Sequence, residues 1–296
     1  MGLRELTTCT YVRVKRVLTS GGSAWIGEVD DSTVLKYPAA AGEDVERIEA
    51  EKNMLQAIPP YKHVIGFKGF TDEGIYLERA INGTVVKYIL ESGQPISLQQ
   101  RLAWCRQTAE AVAWVHVSRA GMAMLPSNLL LDKDLHVKLS DFQGKLLTED
   151  GTVLADGWSM EGCRFSCPRG DDDFRANIKM DLFALGCTIY FIVMGHAIYP
   201  VMVDGEESYR RMVGERLAKR DWPREQHVCG AITLKCWEQQ YESAAGVVRD
   251  LEIVEQEHEL DAGGSGSGPD GGAAGGPERI AVVSLSLCIP YLITLA

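Results

Sequence analysis

Lys36, Glu51, Asn128 and Asp141 are the residues of this sequence whose types and spacing could do chemistry together. Asn128 and Asp141, thirteen positions apart, both offer oxygen ligands of the kind a hard cation such as Mg2+ takes. Glu51 lies three residues after Ile48 and four before Leu55, on the apolar stripe of a predicted helix. A carboxylate facing a core needs a partner, and Lys36 is the candidate. Before Asp141 runs the stretch "AGMAMLPSNLLLD" (120–132), rich in small and apolar residues. No Asp or Glu occurs from Ala111 through Leu131, and the only basic side chain between His116 and Leu131 is Arg119. The set can hold a metal and an ion pair, but residues 111–131 carry no carboxylate to accept a proton.

The elements that must position these groups follow from the hydrophobic pattern. "YVRVKRVL" (11–18) alternates as a strand does, and "WIGEV" and "TVLKY" flank the turn Asp30-Asp31-Ser32 as a hairpin. Residues 43–58 read as a helix with Val45, Ile48, Leu55 and Ile58 as its stripe. "HVIGFKGF" (63–70) and "GIYLERA" (74–80) add two short strands. After Gly83 the chain turns helical. Ser97 with Gln100 is a capping box opening a helix to about Val117, with Leu102, Cys105, Ala109 and Val112 on one face. In "LHVKLSDF" (135–142), Leu135, Val137 and Leu139 alternate with polar residues. "MDLFALGCTIYFIVMG" (180–195) is apolar almost all round and predicts a buried helix. Two further helices are expected, around 206–219 and 229–254.

Composition narrows the class. The 296 residues are 46% apolar and 24% charged, ordinary for a globular protein with a sizeable core. The net charge of -11 argues against broad binding to nucleic acid or anionic membranes. Cys163-x3-Cys167 is the only close pair among eight cysteines, and no second pair or His cluster stands at zinc-ligand spacing. Reduced thiols and a polar, mixed N-terminus lead us to expect an intracellular chain, cytoplasmic or nuclear. Gly2 is no myristoylation site, because Leu6 stands where Ser or Thr is needed. Residues 263–277, "GGSGSGPDGGAAGGP", form no core and read as a flexible linker. The last 17 residues are uncharged and apolar, at the lower limit for a bilayer span and interrupted by Pro290, so any membrane anchor would be this tail.

In order along about residues 11–254, the motifs resemble the eukaryotic protein-kinase family, Ser/Thr type. The stretch 18–26, "LTSGGSAWI", is similar to its Gly-rich loop: Gly21 matches the middle glycine, while Thr19 and Ala24 replace the first and third. Val34-Leu35-Lys36 is similar to the strand whose Lys holds the α- and β-phosphates of ATP and pairs with a helix Glu, here Glu51. Pro126-Ser127-Asn128 followed by Asp141-Phe142-Gln143-Gly144 has the family's spacing, with Gln in place of the motif's Gly. Asp181-Leu182-Phe183-Ala184-Leu185-Gly186 is similar to the D-x-x-x-L-G that heads the buried helix. The resemblance implies an α+β, bilobal fold with a small β-rich N-lobe (11–80) and a larger helical C-lobe (81–254). A short extension (1–10), a linker (255–279) and the apolar tail (280–296) flank it. It also implies ATP and Mg2+. Gly21 and Gly22 would approach the phosphates, Ile26, Val34 and Leu130 would sandwich the adenine, Leu77 would back the pocket, and Glu78-Arg79-Ala80 would form the hinge. Asn128 and Asp141 would be the metal ligands. A protein partner or substrate is implied as well.

The sequence departs from the family where the reaction happens. Ala123 and Leu125 occupy the positions of the catalytic-loop Asp and its neighbouring Lys, and the His116-to-Asn128 interval is one residue short. Arg169 stands where the family has a Glu that pairs with a later Arg. Glu242 is the matching acid, so a swapped, buried Arg169–Glu242 pair is expected. Three readings stay open at this point: a nucleotide-binding regulatory or scaffolding pseudokinase, an active Ser/Thr kinase with an unconventional loop, and a decayed sequence without function.

Overall fold

A computed structural model describes residues 13–39, 44–117, 126–147, 152–156, 162–168, 178–202 and 208–264. Ala123, Leu125, Arg169 and the 280–296 tail lie outside these residues. The N-lobe is a five-stranded antiparallel sheet and one helix. The strands are β1 (Arg16–Ser20), β2 (Ala24–Glu28), β3 (Thr33–Pro38), β4 (Phe67–Thr71) and β5 (Gly74–Glu78), in the order β1-β2-β3-β5-β4. The helix α1 (Val45–Ala57) packs against β3, β4 and β5. The C-lobe contains α2 (Val85–Glu91), α3 (Leu98–Val117), a single 3-10 turn (Pro126–Asn128) and the short hairpin of β6 (Leu129–Leu131) and β7 (Val137–Leu139). A second hairpin, β8 (Lys145–Leu147) with β9 (Val153–Asp156), lies against α1. Helices α4 (Ile178–Met194), α5 (Tyr209–Ala218), α6 (Gly230–Trp237) and α7 (Ala244–Gly264) complete the bilobal α+β fold. Among the described residues no helix is long and apolar enough to cross a membrane.

Hydrophobic spacing accounts for the main packing. On α1 the buried residues are Ile48, Ala50, Glu51, Met54 and Leu55. Val45, expected on that stripe, is exposed. It lies six residues before Glu51, about 120° around a helix turning about 100° per residue, and so faces away from the sheet. Leu102, Cys105, Ala109 and Val112 of α3 are all fully buried. The Ser97 hydroxyl caps this helix, accepting the Gln100 amide at 3.1 Å. Every residue of α4 from Asp181 through Ile192 is buried, as its continuous apolar run requires. Gly186 allows α4 to meet α6, because a Cβ there would lie 2.5 Å from the Cys236 Cβ.

Three expected boundaries moved. The strand predicted from residue 11 begins at Arg16, and its alternation buries no face, since Val17 and Leu18 are both exposed. The strand predicted from His63 begins at Phe67. Residues 63–65 instead dock on β7, with Ile65 N donating to Leu139 O at 2.9 Å and Leu139 N to His63 O at 2.8 Å. Backbone pairing thus joins the two lobes. The helix expected over 229–254 is two helices, α6 and α7, and α7 runs on to Gly264. Gln239, at φ 57°, breaks the run, because a left-handed residue ends an α-helix.

Lys179 stabilises that break. Its ammonium donates to Tyr241 O at 2.7 Å and Gln239 O at 3.1 Å and pairs with Glu242 at 3.1 Å. The expected buried pairing of Glu242 with Arg169 is corrected on the acid's side: Glu242 is 91% exposed and meets Lys179. An acid so placed faces water, so losing it strands no buried charge. Glu242→Ala is expected to change stability by less than about 0.5 kcal/mol. Lys179→Ala removes a cation from two backbone carbonyls and is expected to cost about 1.5–3 kcal/mol. Urea unfolding of the two variants side by side checks the order, and equal losses would contradict it.

Candidate functional site

Lys36 is delivered by β3, where it stands opposite Ile26 of β2 and Ile75 of β5. Gly74, at φ 153°, lets β5 begin against this strand, since a Cβ there would meet Lys36 O at 2.1 Å. The Lys36 ammonium lies 2.5 Å from Glu51 Oε2 and 2.5 Å from Asp141 Oδ1. The pair inferred from helical spacing is therefore formed, and Glu51 is fully buried, at 0% exposure. Burial alone would lower the pKa of the Lys36 ammonium, but the Asp141 and Glu51 carboxylates outweigh it and leave the pKa raised. Burial likewise pushes the Glu51 carboxyl up, and Lys36 draws it only part of the way back.

Asp141 reaches Lys36 through an unusual backbone. Its φ of 64° lies in the left-handed region, which Asp tolerates better than most residues. The turn is closed by Gln143 N donating to Asp141 O at 2.9 Å, and Phe142 between them is fully buried. Asp141 remains 40% exposed, open to a ligand on one side while Lys36 holds the other. Asn128 is fixed beside it: its carbonyl accepts both the amide and the hydroxyl of Ser140, each at 2.9 Å. The β6–β7 register, Leu129 opposite Leu139, thus places Asn128 next to the residue that precedes Asp141. The residue 13 positions before Asp141 is thus bonded through its backbone to Ser140, the immediate neighbour of Asp141.

Above this group, Gly21 and Gly22 turn the chain between β1 and β2, with Gly21 N donating to Ala24 O at 2.8 Å. A Cβ at Gly21 would meet nothing nearer than Ala24 O at 3.8 Å. Toward the interlobe connection, Val34 and Leu77 are buried, and the β3–β5 register sets them opposite each other. Ile26, Ala80 and Leu130 are half-buried and pack on the same apolar core. Leu130 sits in β6, where its backbone bridges to Thr84. The Glu78 carboxylate accepts the Gly66 amide at 3.0 Å and pairs with Lys138 at 3.0 Å, which leaves the 78–80 backbone to serve as a connection. Asp181, at the head of the buried helix, meets His116 Nε2 at 2.9 Å. Residues 118–125 of the loop fall outside the described residues.

Two contributors escaped the sequence reading. Gln143 was noted only as a departure from a motif, and Ser23 was one residue of a weak Gly-rich stretch. In the structure both are buried, and Gln143 Nε2 donates to Ser23 Oγ at 3.5 Å. The available signal was the bulk of Gln143 in a run whose family counterpart has no side chain. Asp132, Asp134 and His136 also gather their ligand atoms within 4.8 Å. There the Asp132 Oδ1 accepts the amides of Asp134 and His136, each at 2.9 Å, so the group builds the β6–β7 turn.

This assembly of a sheet-borne lysine, a helix-borne acid and an aspartate on a left-handed turn between two lobes defines a kinase-like domain. The family model for protein tyrosine and serine/threonine kinases matches residues 22–246, and the chain belongs to that family. It is similar to Wall-associated receptor kinase-like 21 of Arabidopsis thaliana, 27% identical over 201 residues, which cover 62% of this chain and 32% of that protein. It is also similar to the mouse cytoplasmic tyrosine-protein kinase BMX, 23% identical over 243 residues, 80% of this chain and 37% of that protein. Serine/threonine-protein kinase PknE of Mycobacterium tuberculosis is 24% identical over 208 residues, 66% of this chain and 37% of that protein. The chain spans about a third of the length of these relatives.

Proposed function

We propose that this domain binds ATP with Mg2+ and acts as a regulatory or scaffolding pseudokinase, its phosphoryl transfer crippled by the missing catalytic-loop acid. The observation that carries the reading is an asymmetry. Glu51 and Asp141 both contact Lys36, while no acid occurs from Ala111 through Leu131. In this reading Lys36 binds the α- and β-phosphates, and Glu51 orients it. Asp141 and Asn128 hold Mg2+, which neutralises charge on the phosphates when bound. Ile26, Val34, Ala80 and Leu130 enclose the adenine, Leu77 closes the back, and the backbone of 78–80 faces its edge. Gly21 and Gly22 let the loop approach the phosphates. The donor set suits the group: one exposed carboxylate edge, one amide oxygen and one cation, all held by backbone contacts rather than by flexible loops.

Calorimetric titration with ATP tests this, with and without Mg2+. Asp141→Asn removes a charged metal ligand and is expected to abolish the Mg2+ contribution, weakening binding by about tenfold or more. Identical Mg2+ dependence in wild type and variant would reject the site. A second reading, an active kinase, gains from the formed Lys36–Glu51 pair and the fully buried Phe142. Transfer of γ-phosphate to protein substrates by the wild type, lost in Asp141→Asn, would establish it in place of the first.

A further inference from the structure

Gln143 fills a position where a small residue would suffice for the turn. Its side chain is 7% exposed, and its backbone cannot swing away, because its amide is tied to Asp141 O and Phe142 is fully buried. Its side chain and its main chain reach different partners. On one side is Ser23, 6% exposed, whose hydroxyl accepts from Gln143 Nε2 at 3.5 Å. On the other its main chain is tied to Asp141 O at 2.9 Å, and its side chain draws the Glu51 pKa down, as Lys36 does, against the larger effect of burial. Ser23 is itself anchored, its carbonyl accepting the Ala39 amide at 3.2 Å. Polar contacts thus run from the turn above the cleft, through the side chain and then the main chain of Gln143, to Asp141, which meets Lys36.

We propose that Gln143 is a positioning residue that latches the turn around Ser23 to the Lys36–Glu51–Asp141 group, closing the roof of the cleft before any nucleotide arrives and weakening nucleotide entry. The gating half rests on the nucleotide reading above; the latch itself needs no ligand. Phosphates drawn to Lys36 must pass beneath this turn. With the roof closed, the competent state is only a fraction of the population, and apparent affinity falls by that fraction. One neutral side-chain hydrogen bond is worth about a fivefold shift in such a population.

Hydrogen exchange on the full chain, without nucleotide, reads the latch. Gln143→Met keeps the length and approximate volume and removes both the donor and the acceptor. Ser23→Ala removes the other end. Amides 20–24 are expected to exchange about fivefold faster in each variant. The double variant should be no faster than either single one, because both lose the same contact. Unchanged protection of α4 serves as the control for folding. Wild-type exchange at 20–24 in Gln143→Met, or rates that multiply in the double variant, would overturn the latch. ATP with Mg2+ should bind Gln143→Met about fivefold more tightly than wild type. Faster exchange with unchanged affinity would overturn the gating half alone. Absence of ATP binding in every variant would sink the nucleotide reading and the gating together, while the exchange rates still decide the latch.

Discussion

Ala123→Asp combined with Leu125→Lys is expected to raise phosphoryl transfer to Ser/Thr peptides by about 100-fold or more, the usual contribution of a positioned general base. The expectation follows from what survives. Lys36 is already oriented, with Glu51 and Asp141 each 2.5 Å from its ammonium, so the repair need not rebuild the phosphate side of the cleft. Asn128 is fixed to Ser140 by two hydrogen bonds, which pins the C-terminal end of the loop that carries both substitutions. The N-terminal end is pinned by His116 on Asp181. Between these anchors the chain is one residue shorter than in the kinases it resembles, and a misplacement near 1 Å can itself cost about 100-fold. The repair is therefore tested as the double variant and again with one residue inserted after Arg119. Transfer is measured as γ-phosphate incorporated at saturating Mg-ATP. A rise only with the insertion would assign the defect to loop length as well as to the base. Mg-ATP binding without any gain in transfer, in both versions, would refute base loss as the cause.

The polar core of the site was legible because it obeys short-range rules. Glu51 could be placed on the buried face of α1 from its distance to Ile48 and Leu55, and burial of an acid demands a cation. Asn128 and Asp141 were singled out together by the spacing of the family motif, not by a hairpin pattern; the β6–β7 hairpin that sets Asn128 beside Ser140 was not expected. What failed to show depends on contacts between segments far apart in the chain. Glu242 could not be paired correctly because Lys179, 63 residues earlier, competes for it, and no periodicity links the two. The split of 229–254 into α6 and α7 turns on Gln239 adopting a left-handed backbone, a cost that Lys179 offsets by binding the carbonyls of Gln239 and Tyr241. Residues 63–65 read as strand because His63, Val64 and Ile65 suit one, yet their hydrogen bonds go to β7 in the other lobe. Gln143 illustrates the same limit: its side-chain contact exists only once Ser23, 120 residues earlier, is brought to it.

Lys36→Met is expected to destabilise the domain by about 3–5 kcal/mol, the cost of leaving a buried charge without its partner. Glu51 is the reason. Its side chain is fully covered, whereas Asp141, the other partner of Lys36, is 40% exposed and can be hydrated when the ammonium is lost. Glu51→Gln added to Lys36→Met should recover at least half of the loss, because a neutral amide needs hydrogen bonds but no counter-charge. The pH dependence has a definite sign. Burial already raises the native Glu51 pKa, and removing Lys36, which lowers it, raises it further. The unfolded carboxyl keeps its ordinary value of 4.5, so the native state binds the proton first as pH falls from neutrality. The deficit of Lys36→Met is therefore largest at neutral pH, and it shrinks on acidification through the raised native pKa down to the ordinary one. The same curve for Lys36→Met with Glu51→Gln should lack that recovery. Guanidinium unfolding of the three proteins at several pH values measures all of this. A Lys36→Met variant within about 1 kcal/mol of wild type at neutral pH would mean that Glu51 is neutral or hydrated there, and that the Lys36–Glu51 pair does not hold α1 against the sheet.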